Sequence, residues 1–166
     1  ESVTPEPMER CGQNFGFILY RSSVSFREKS APLSLRNLAD EAWVYVDGKR
    51  YGSMVCNRND SVPVPPGRLD ILVENQGRVN MAMGENDRWN KGLDGVLIQS
   101  RRLYSWEMYP LALKDLSRLR FGPYNPSPAG PCFHRAEFVI GEVADTFIRI
   151  PCGTHGQLFL NGVNLG

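Results

Sequence analysis

Short segments in which apolar and polar residues alternate recur along the chain, separated by turns rich in glycine, proline and asparagine. Alternation with a period of two is typical of strands that bury one face. Aromatic and β-branched residues are frequent within these segments, which strengthens the prediction. The pattern predicts strands in the first two thirds of the chain at 15–21, 33–35, 42–47, 51–55, 69–74, 95–99 and 103–109, the last two forming a hairpin.

The segment 42–47 ends in a hairpin signal. Val44 and Val46 fall on one face of this predicted strand, and Asp47-Gly48 follows directly. The pair predicts a two-residue turn, because both of its positions must accept a positive φ. Residues 51–55 then form the return strand.

Prolines and a leucine repeat mark the less regular part of the chain. Pro63, Pro65 and Pro66 exclude a central strand, because proline has no N–H group for the ladder. Leucines three apart within 111–119 predict a short helix. The stretch 121–131 is rich in proline and predicts a linker. Strands resume at 133–140, 146–150 and 157–161.

Residues 33–48 and 147–162 align without a gap, and each describes a strand, a short loop, a second strand and an Asx-Gly turn. The matched positions of the second strand and turn are Val44, Val46, Asp47 and Gly48 with Leu158, Leu160, Asn161 and Gly162. The repeat predicts two similar units. We expect a first β-sandwich at 1–112, a linker at 113–132 and a partial second β-sandwich at 133–166. We also expect that the natural protein continues beyond Gly166, or that another polypeptide docks along 157–161.

The composition favours a folded all-β protein and excludes several function classes. The chain has 166 residues, of which 42% are hydrophobic and 22% charged, with 16 glycines and 12 prolines. A net charge of +1 gives no electrostatic reason to bind nucleic acid or an anionic membrane. No apolar run approaches about 18 residues, so we predict no membrane-spanning segment.

No motif for catalysis, a metal or a cofactor is evident. Cysteines 11, 56, 132 and 152 match no zinc spacing, and they are either free thiols or paired in one or two disulfides. His134 and His155 have no nucleophile at a recognised spacing, and no G-x-S-x-G elbow occurs. We therefore assign no catalytic residue, no metal ligand and no cofactor.

Several stretches, in order, resemble the accessory domains that follow the catalytic barrel in family 35 glycoside hydrolases, the β-galactosidases. They are NFGFILYR at 14–21, WVYVDG at 43–48, LDILVENQGRVN at 69–80, KGL at 91–93, WEMYPL at 106–111, DTF at 145–147 and GQLFLNGVNLG at 156–166. The resemblance implies a galactose-binding-like jelly-roll β-sandwich, followed by part of a second similar sandwich.

The resemblance also implies a role. Catalysis in that family uses two glutamates on a TIM barrel, and 166 residues cannot hold such a barrel. This chain is then a non-catalytic region that braces the barrel and borders the galactose site, with the TIM barrel or another polypeptide as partner and galactosides as possible ligands. A lysosomal or extracellular location follows from the resemblance. The alternatives are a stand-alone carbohydrate-binding module and a scaffold subunit that has lost sugar binding.

Three residues are candidates for carbohydrate contact: Trp89, Arg78 and Asn80. Trp89 lies in a predicted polar loop at 84–92, and exposed aromatic rings pack on the apolar face of a pyranose. Arg78 and Asn80 belong to the GRVN stretch, which lies near the barrel in the family. The family often has a tyrosine after this asparagine, but here the position is Met81, which packs without donating a hydrogen bond. Structural roles, such as capping loop carbonyls, remain the alternative for Arg78 and Asn80.

Overall fold

The structure is a computed structural model that describes residues 1–56, 58, 60–78, 90–125, 130–150 and 155–166. The chain divides into two compact units, Glu1–Leu113 and Lys114–Gly166. In the described residues the helical structure is one 3-10 turn at Met8–Cys11. None of the described helical structure has the length and apolar character that a bilayer crossing requires.

The first unit is an antiparallel β-sandwich, which confirms the predicted fold class. A five-stranded sheet has the order β4-β3-β6-β1-β9 and faces a four-stranded sheet with the order β5-β2-β7-β8. The chain passes repeatedly from one sheet to the other, as in a jelly roll. The strands are β1 (Gly16–Val24), β2 (Ala31–Arg36), β3 (Glu41–Val46), β4 (Lys49–Val55), β5 (Val62–Val64), β6 (Gly67–Asn75), β7 (Gly95–Ile98), β8 (Arg101–Arg102) and β9 (Glu107–Leu111).

The hydrophobic core lies between the two sheets. In β1, β3 and β6 alternate residues point inward and are buried, including Ile18, Val44 and Ile71 of the larger sheet. Leu33 and Val96 meet them from the smaller sheet. Burial of each such side chain contributes about 1.5–3 kcal/mol, which makes this face the main stabilising element of the unit.

The hairpin predicted at Asp47-Gly48 is confirmed. Asp47 has φ 49° and Gly48 has φ 80°, and the turn joins β3 to β4. The second unit contains a matching hairpin between β10 (Phe159–Leu160) and β11 (Val163–Asn164), whose turn residues Asn161 and Gly162 have φ 50° and 84°. The two aligned segments therefore share their turn conformation. The division of the chain into a sandwich, a linker and a partial second sandwich stays a prediction.

The hairpin predicted between 95–99 and 103–109 is wrong, because β7 and β9 pair with other strands and not with each other. β7 turns tightly through Gln99 and Ser100, both with positive φ, and pairs with the two residues of β8. The chain then leaves the smaller sheet, and β9 pairs with β1 in the larger one. Trp106, 1% exposed, stabilises this crossing because its ring is buried in the core just before β9 begins.

The helix predicted within 111–119 is also wrong. Leu113 has φ 52°, a left-handed conformation that a right-handed helix excludes. Asp115 accepts a hydrogen bond from the N–H of Ser117, and an isolated turn links Leu119 to Leu116. A helix this short is marginal in water unless one face is buried, and leucine spacing alone does not supply that face.

The strands predicted at 133–140 and 146–150 do not form. These described residues take part in no ladder, and several of their apolar side chains are almost fully exposed, such as Val139 and Phe147. A strand requires a neighbour that satisfies its N–H and C=O groups, and alternation in the sequence does not identify one. Within 157–161 a strand does form, and Leu158 exchanges hydrogen bonds with Leu165 and Gly166.

Candidate functional site: the polar network flanking residues 79–89

The structure describes one of the three predicted carbohydrate-contact residues. Arg78 is described, whereas Asn80 and Trp89 lie outside the described residues, as does Met81. Residues 76–78 and 90–92 flank the stretch that carries the other candidates. These two flanks, with the side chains that bind them, form the candidate site.

Arg78 binds the N-terminal 3-10 turn of the first unit. Its Nη1 atom lies 2.5 Å from Oε1 of Glu9, and its Nη2 donates a hydrogen bond of 3.0 Å to the carbonyl oxygen of Asn14. Glu9 is held in place by the turn, which Gly12 terminates in a left-handed conformation. The flank that precedes residue 79 is therefore tied to the turn through the guanidinium of Arg78.

The carboxylate of Glu9 also binds the flank that follows residue 89. Both of its oxygens accept the backbone N–H of Lys91, at 3.2 and 3.0 Å. The adjacent Met8 donates its N–H to the carbonyl oxygen of Lys91 at 2.8 Å. One carboxylate thus joins the two flanks, because Arg78 and Lys91 bind it from opposite ends of the 79–89 stretch.

Asp40 joins the same two flanks a second time. The Nζ atom of Lys91 lies 2.7 Å from both of its carboxylate oxygens, and the N–H of Gln76 donates to Oδ2 at 2.7 Å. The Lys91 side chain is 3% exposed and that of Asp40 is 18% exposed. An ammonium group removed from water to this extent requires its carboxylate partner.

Backbone pairings fix the position of Asp40 between β2 and β3. Its N–H donates to the carbonyl oxygen of Glu74 at 3.0 Å, and its carbonyl oxygen accepts the N–H of Cys56 at 2.7 Å. The neighbouring Ala39 exchanges two hydrogen bonds of 2.8 Å with Gly92. The carboxylate is therefore held on a rigid connection of the sandwich.

Close packing at Gly92 completes the network. A Cβ atom there would lie 2.2 Å from the hydroxyl oxygen of Tyr20, and φ is +100°, so the position requires glycine. The hydroxyl of Tyr20 donates to the carbonyl oxygen of Glu6 at 2.9 Å and accepts the N–H of Leu93 at 3.3 Å. Burial raises the pKa of Tyr20 above its ordinary value, so the phenol keeps its proton and continues to donate.

This arrangement is suited to holding backbone segments in place. A retaining glycosidase needs one carboxylate that attacks carbon and a second carboxyl that exchanges a proton. Glu9 and Asp40 instead each form an ion pair with a basic side chain and also accept a hydrogen bond from a backbone N–H. Their oxygens are occupied by fixed donors, which stabilises the two flanks.

Sequence reasoning identified Arg78 and missed its partners. Asp40 and Lys91 are 51 residues apart in the chain, and Glu9 and Lys91 are 82 apart. A charged residue in a predicted loop is usually solvated, so nothing local marks these three as partners. The one available signal was the Lys91-Gly92-Leu93 motif, which carried part of the family resemblance.

Comparisons with known proteins agree with that resemblance. Residues 5–112 match the family described as "Beta-galactosidase, first all-beta domain". The chain is 38% identical over 168 residues to the "Beta-galactosidase" of Xanthomonas manihotis, with 98% of the chain and 28% of the relative covered. It is 33% identical over 195 residues to the Homo sapiens "Beta-galactosidase" and 34% identical over 195 residues to "Beta-galactosidase 1" of Dictyostelium discoideum, covering 100% of the chain and 28% of each relative. The chain therefore spans less than a third of the length of these relatives.

Proposed function

The chain belongs to the beta-galactosidase family as a non-catalytic all-beta region, and from this premise we propose that it braces the catalytic TIM barrel and borders its galactoside pocket. The barrel is the proposed partner and a galactoside the proposed ligand of the whole protein. The same proposal includes a lysosomal or extracellular site of action, which rests on the family resemblance.

The observation that carries this proposal is the double attachment of the two flanks, 76–78 and 90–92. Both flanks bind Glu9, through Arg78 and the N–H of Lys91, and both bind Asp40, through the N–H of Gln76 and the ammonium of Lys91. The two carboxylates therefore hold both flanks in fixed positions on the sandwich. Because these flanks are already fixed, they lose little conformational entropy on contact with a barrel or a sugar.

Each candidate residue has a distinct part in this proposal. Trp89 packs on the apolar face of the galactoside ring, and Asn80 donates a hydrogen bond to one of its hydroxyls. Arg78 acts through Glu9 as a positioning residue, since its guanidinium already binds that carboxylate and the carbonyl oxygen of Asn14. Met81 contributes apolar contact alone.

The test uses the full-length protein that carries this chain. Trp89→Ala is expected to raise KM for a nitrophenyl β-galactoside roughly tenfold, the equivalent of about 1.4 kcal/mol of lost binding. The matched control is Tyr104→Ala, which removes an aromatic ring that is 52% exposed in the same unit and should leave KM unchanged. An unchanged KM in Trp89→Ala contradicts the proposed sugar contact.

Isolated residues 1–166 separate this proposal from its alternatives. We expect the purified chain to release no nitrophenol from the galactoside and to bind neither galactose nor lactose in titration calorimetry, because the barrel forms most of the pocket. Binding that Trp89→Ala removes would instead identify a stand-alone carbohydrate-binding module. Absence of binding, together with normal KM in full-length Trp89→Ala, would identify a scaffold without a role at the sugar.

A further inference from the structure

The outer face of the four-stranded sheet carries two arginines that converge on one glycine. Arg36 ends β2 and lies opposite Gly95 on β7, while Arg102 on β8 lies opposite Leu97. Directly paired residues share a face of a sheet, as do residues two apart on one strand. All four therefore lie on the outer face, since the intervening Val96 is fully buried in the core.

Gly95 lets the two side chains approach each other. A Cβ atom at this glycine would lie 3.2 Å from Cβ of Arg36 and 3.4 Å from Nη2 of Arg102. The guanidinium of Arg102 thus reaches across Gly95 towards the stem of Arg36. Both arginine side chains are exposed, and Gly95 is buried beneath them.

Neither arginine has a carboxylate partner among the residues that the structure describes. The ion pairs that the structure describes in the first unit involve other basic residues, such as Arg21 and Arg68, which both bind Asp70 on the larger sheet. The acidic residue next to Gly95 is Asp94, whose carboxylate accepts the side-chain amide of Asn37. An oxyanion on this face would be attracted to both guanidinium groups.

We propose that Arg36, Gly95 and Arg102 form a binding site for an oxyanion, either a sulfate or a carboxylate group. Guanidinium groups present planar pairs of N–H donors that match the oxygens of such groups. Ser34 lies opposite Leu97 on the same face, and its hydroxyl adds a neutral donor beside the two arginines. The site lies on the outer face of the smaller sheet and uses none of the residues of the polar network that flanks residues 79–89, so it goes beyond the proposed function.

The exposed position predicts the character of the binding. Screening by water and salt limits the free energy that each charged contact contributes. We therefore expect weak binding, with an affinity that falls as ionic strength rises. Specificity comes from the charge and the paired donors, so a neutral sugar of the same shape is expected not to bind there.

The test is a titration of the 166-residue chain followed by backbone amide shifts at low ionic strength. The probes are galactose 6-sulfate, galacturonate, inorganic sulfate and neutral galactose. We expect the two charged sugars to shift the amides around Gly95 and galactose to leave them unchanged. Arg102→Gln and Arg36→Gln should each weaken binding about two- to fivefold, as expected for the loss of one solvent-exposed charged contact.

Two further variants make the result decisive. Leu97→Glu keeps both arginines but places a carboxylate opposite Arg102, which should compete with the ligand and abolish binding. Arg68→Gln removes an equal charge from the other sheet and should bind as the parent does. Thermal melting followed by circular dichroism checks that each variant is folded.

Three outcomes would overturn the proposal. The charged sugars could leave the amides around Gly95 unshifted, or Arg68→Gln could weaken binding as much as Arg102→Gln, which would indicate a general charge effect. Neutral galactose could also bind as tightly as galactose 6-sulfate, which would show that the site does not recognise the charge.

Discussion

The ammonium of Lys91 lies 2.7 Å from both carboxylate oxygens of Asp40, and the lysine is the more deeply buried partner, 3% exposed against 18%. Loss of either partner leaves a charge that burial has removed from water. Removal of Asp40 and removal of Lys91 should lower the free energy of unfolding by unequal amounts. The carboxylate of Asp40 would keep the N–H of Gln76 as a donor, whereas the ammonium of Lys91 would lose the partner of its charge.

We therefore predict that Asp40→Asn destabilises the protein more than Lys91→Met does. Asp40→Asn should lower the free energy of unfolding by about 3–5 kcal/mol, and Lys91→Met by about 1–3 kcal/mol. Urea denaturation followed by tryptophan fluorescence measures both values. Arg78→Gln is the control, because it breaks a more exposed pair that is worth about 1 kcal/mol or less. The reverse order of the first two variants would show that burial does not govern this ion pair.

Local signals in the sequence were sufficient for much of the sandwich. The turn at Asp47-Gly48 was predictable because only a few residue types accept two successive positive φ angles. Pro63 lies in β5, one of the two edge strands of the smaller sheet, where the missing N–H of proline is tolerated. These features depend on residues that are adjacent in the chain.

Features that depend on distant partners were not predictable in the same way. Apolar alternation at 133–140 predicted a strand, but whether a neighbouring strand is present is not encoded in that segment. The contacts of the candidate site likewise join residues such as Glu9 and Lys91 that only the folded sandwich brings together. Family resemblance identified the region of the site around Arg78, and the geometry identified the carboxylates that hold it.

Gly92 offers a test of the packing at this site. Gly92→Ala should destabilise the protein by about 3 kcal/mol or more, because the new Cβ would lie 2.2 Å from the Tyr20 hydroxyl and φ is +100°. Gly77→Ala is the matched control, since φ there is +111° but a Cβ would have nothing within 4 Å. The control should cost about 1 kcal/mol, from backbone strain alone. Equal losses in the two variants would contradict the proposed clash.

Reactivity of the cysteines should follow their surroundings. Burial, with a smaller contribution from the nearby Glu6 carboxylate, raises the pKa of the Cys11 thiol. The thiolate is the reactive form, so Cys11 should be alkylated slowly below about pH 9. Cys132 is exposed, and its Sγ atom lies 3.0 Å from Nε2 of His134. Iodoacetamide labelling followed by peptide mass spectrometry should therefore modify Cys132 before Cys11, and preferential labelling of Cys11 in the folded protein would contradict the prediction.

The raised pKa of Tyr20 predicts how the free energy of unfolding changes at alkaline pH. Burial raises its pKa above the ordinary value of 10.0, so the folded protein keeps a proton that the unfolded chain releases above about pH 10. Unfolding then releases a proton, and stability falls as the pH rises through this range, by up to about 1.4 kcal/mol per pH unit for one such group. Below the unfolded pKa both states are protonated, and Tyr20 contributes no pH dependence.

Tyr20→Phe isolates this effect from the other tyrosines. Near neutral pH the variant should be less stable by about 1–3 kcal/mol, because the carbonyl oxygen of Glu6 and the N–H of Leu93 lose their partner. Above about pH 10 the difference from the parent should shrink, since phenylalanine has no proton to release and only the parent loses this part of its stability. Urea denaturation of both proteins from about pH 8 to about pH 11 measures the difference. A difference that stays constant over this range would mean that the folded and unfolded states hold the Tyr20 proton equally well, and that the buried hydroxyl does not act as a permanent donor at the candidate site.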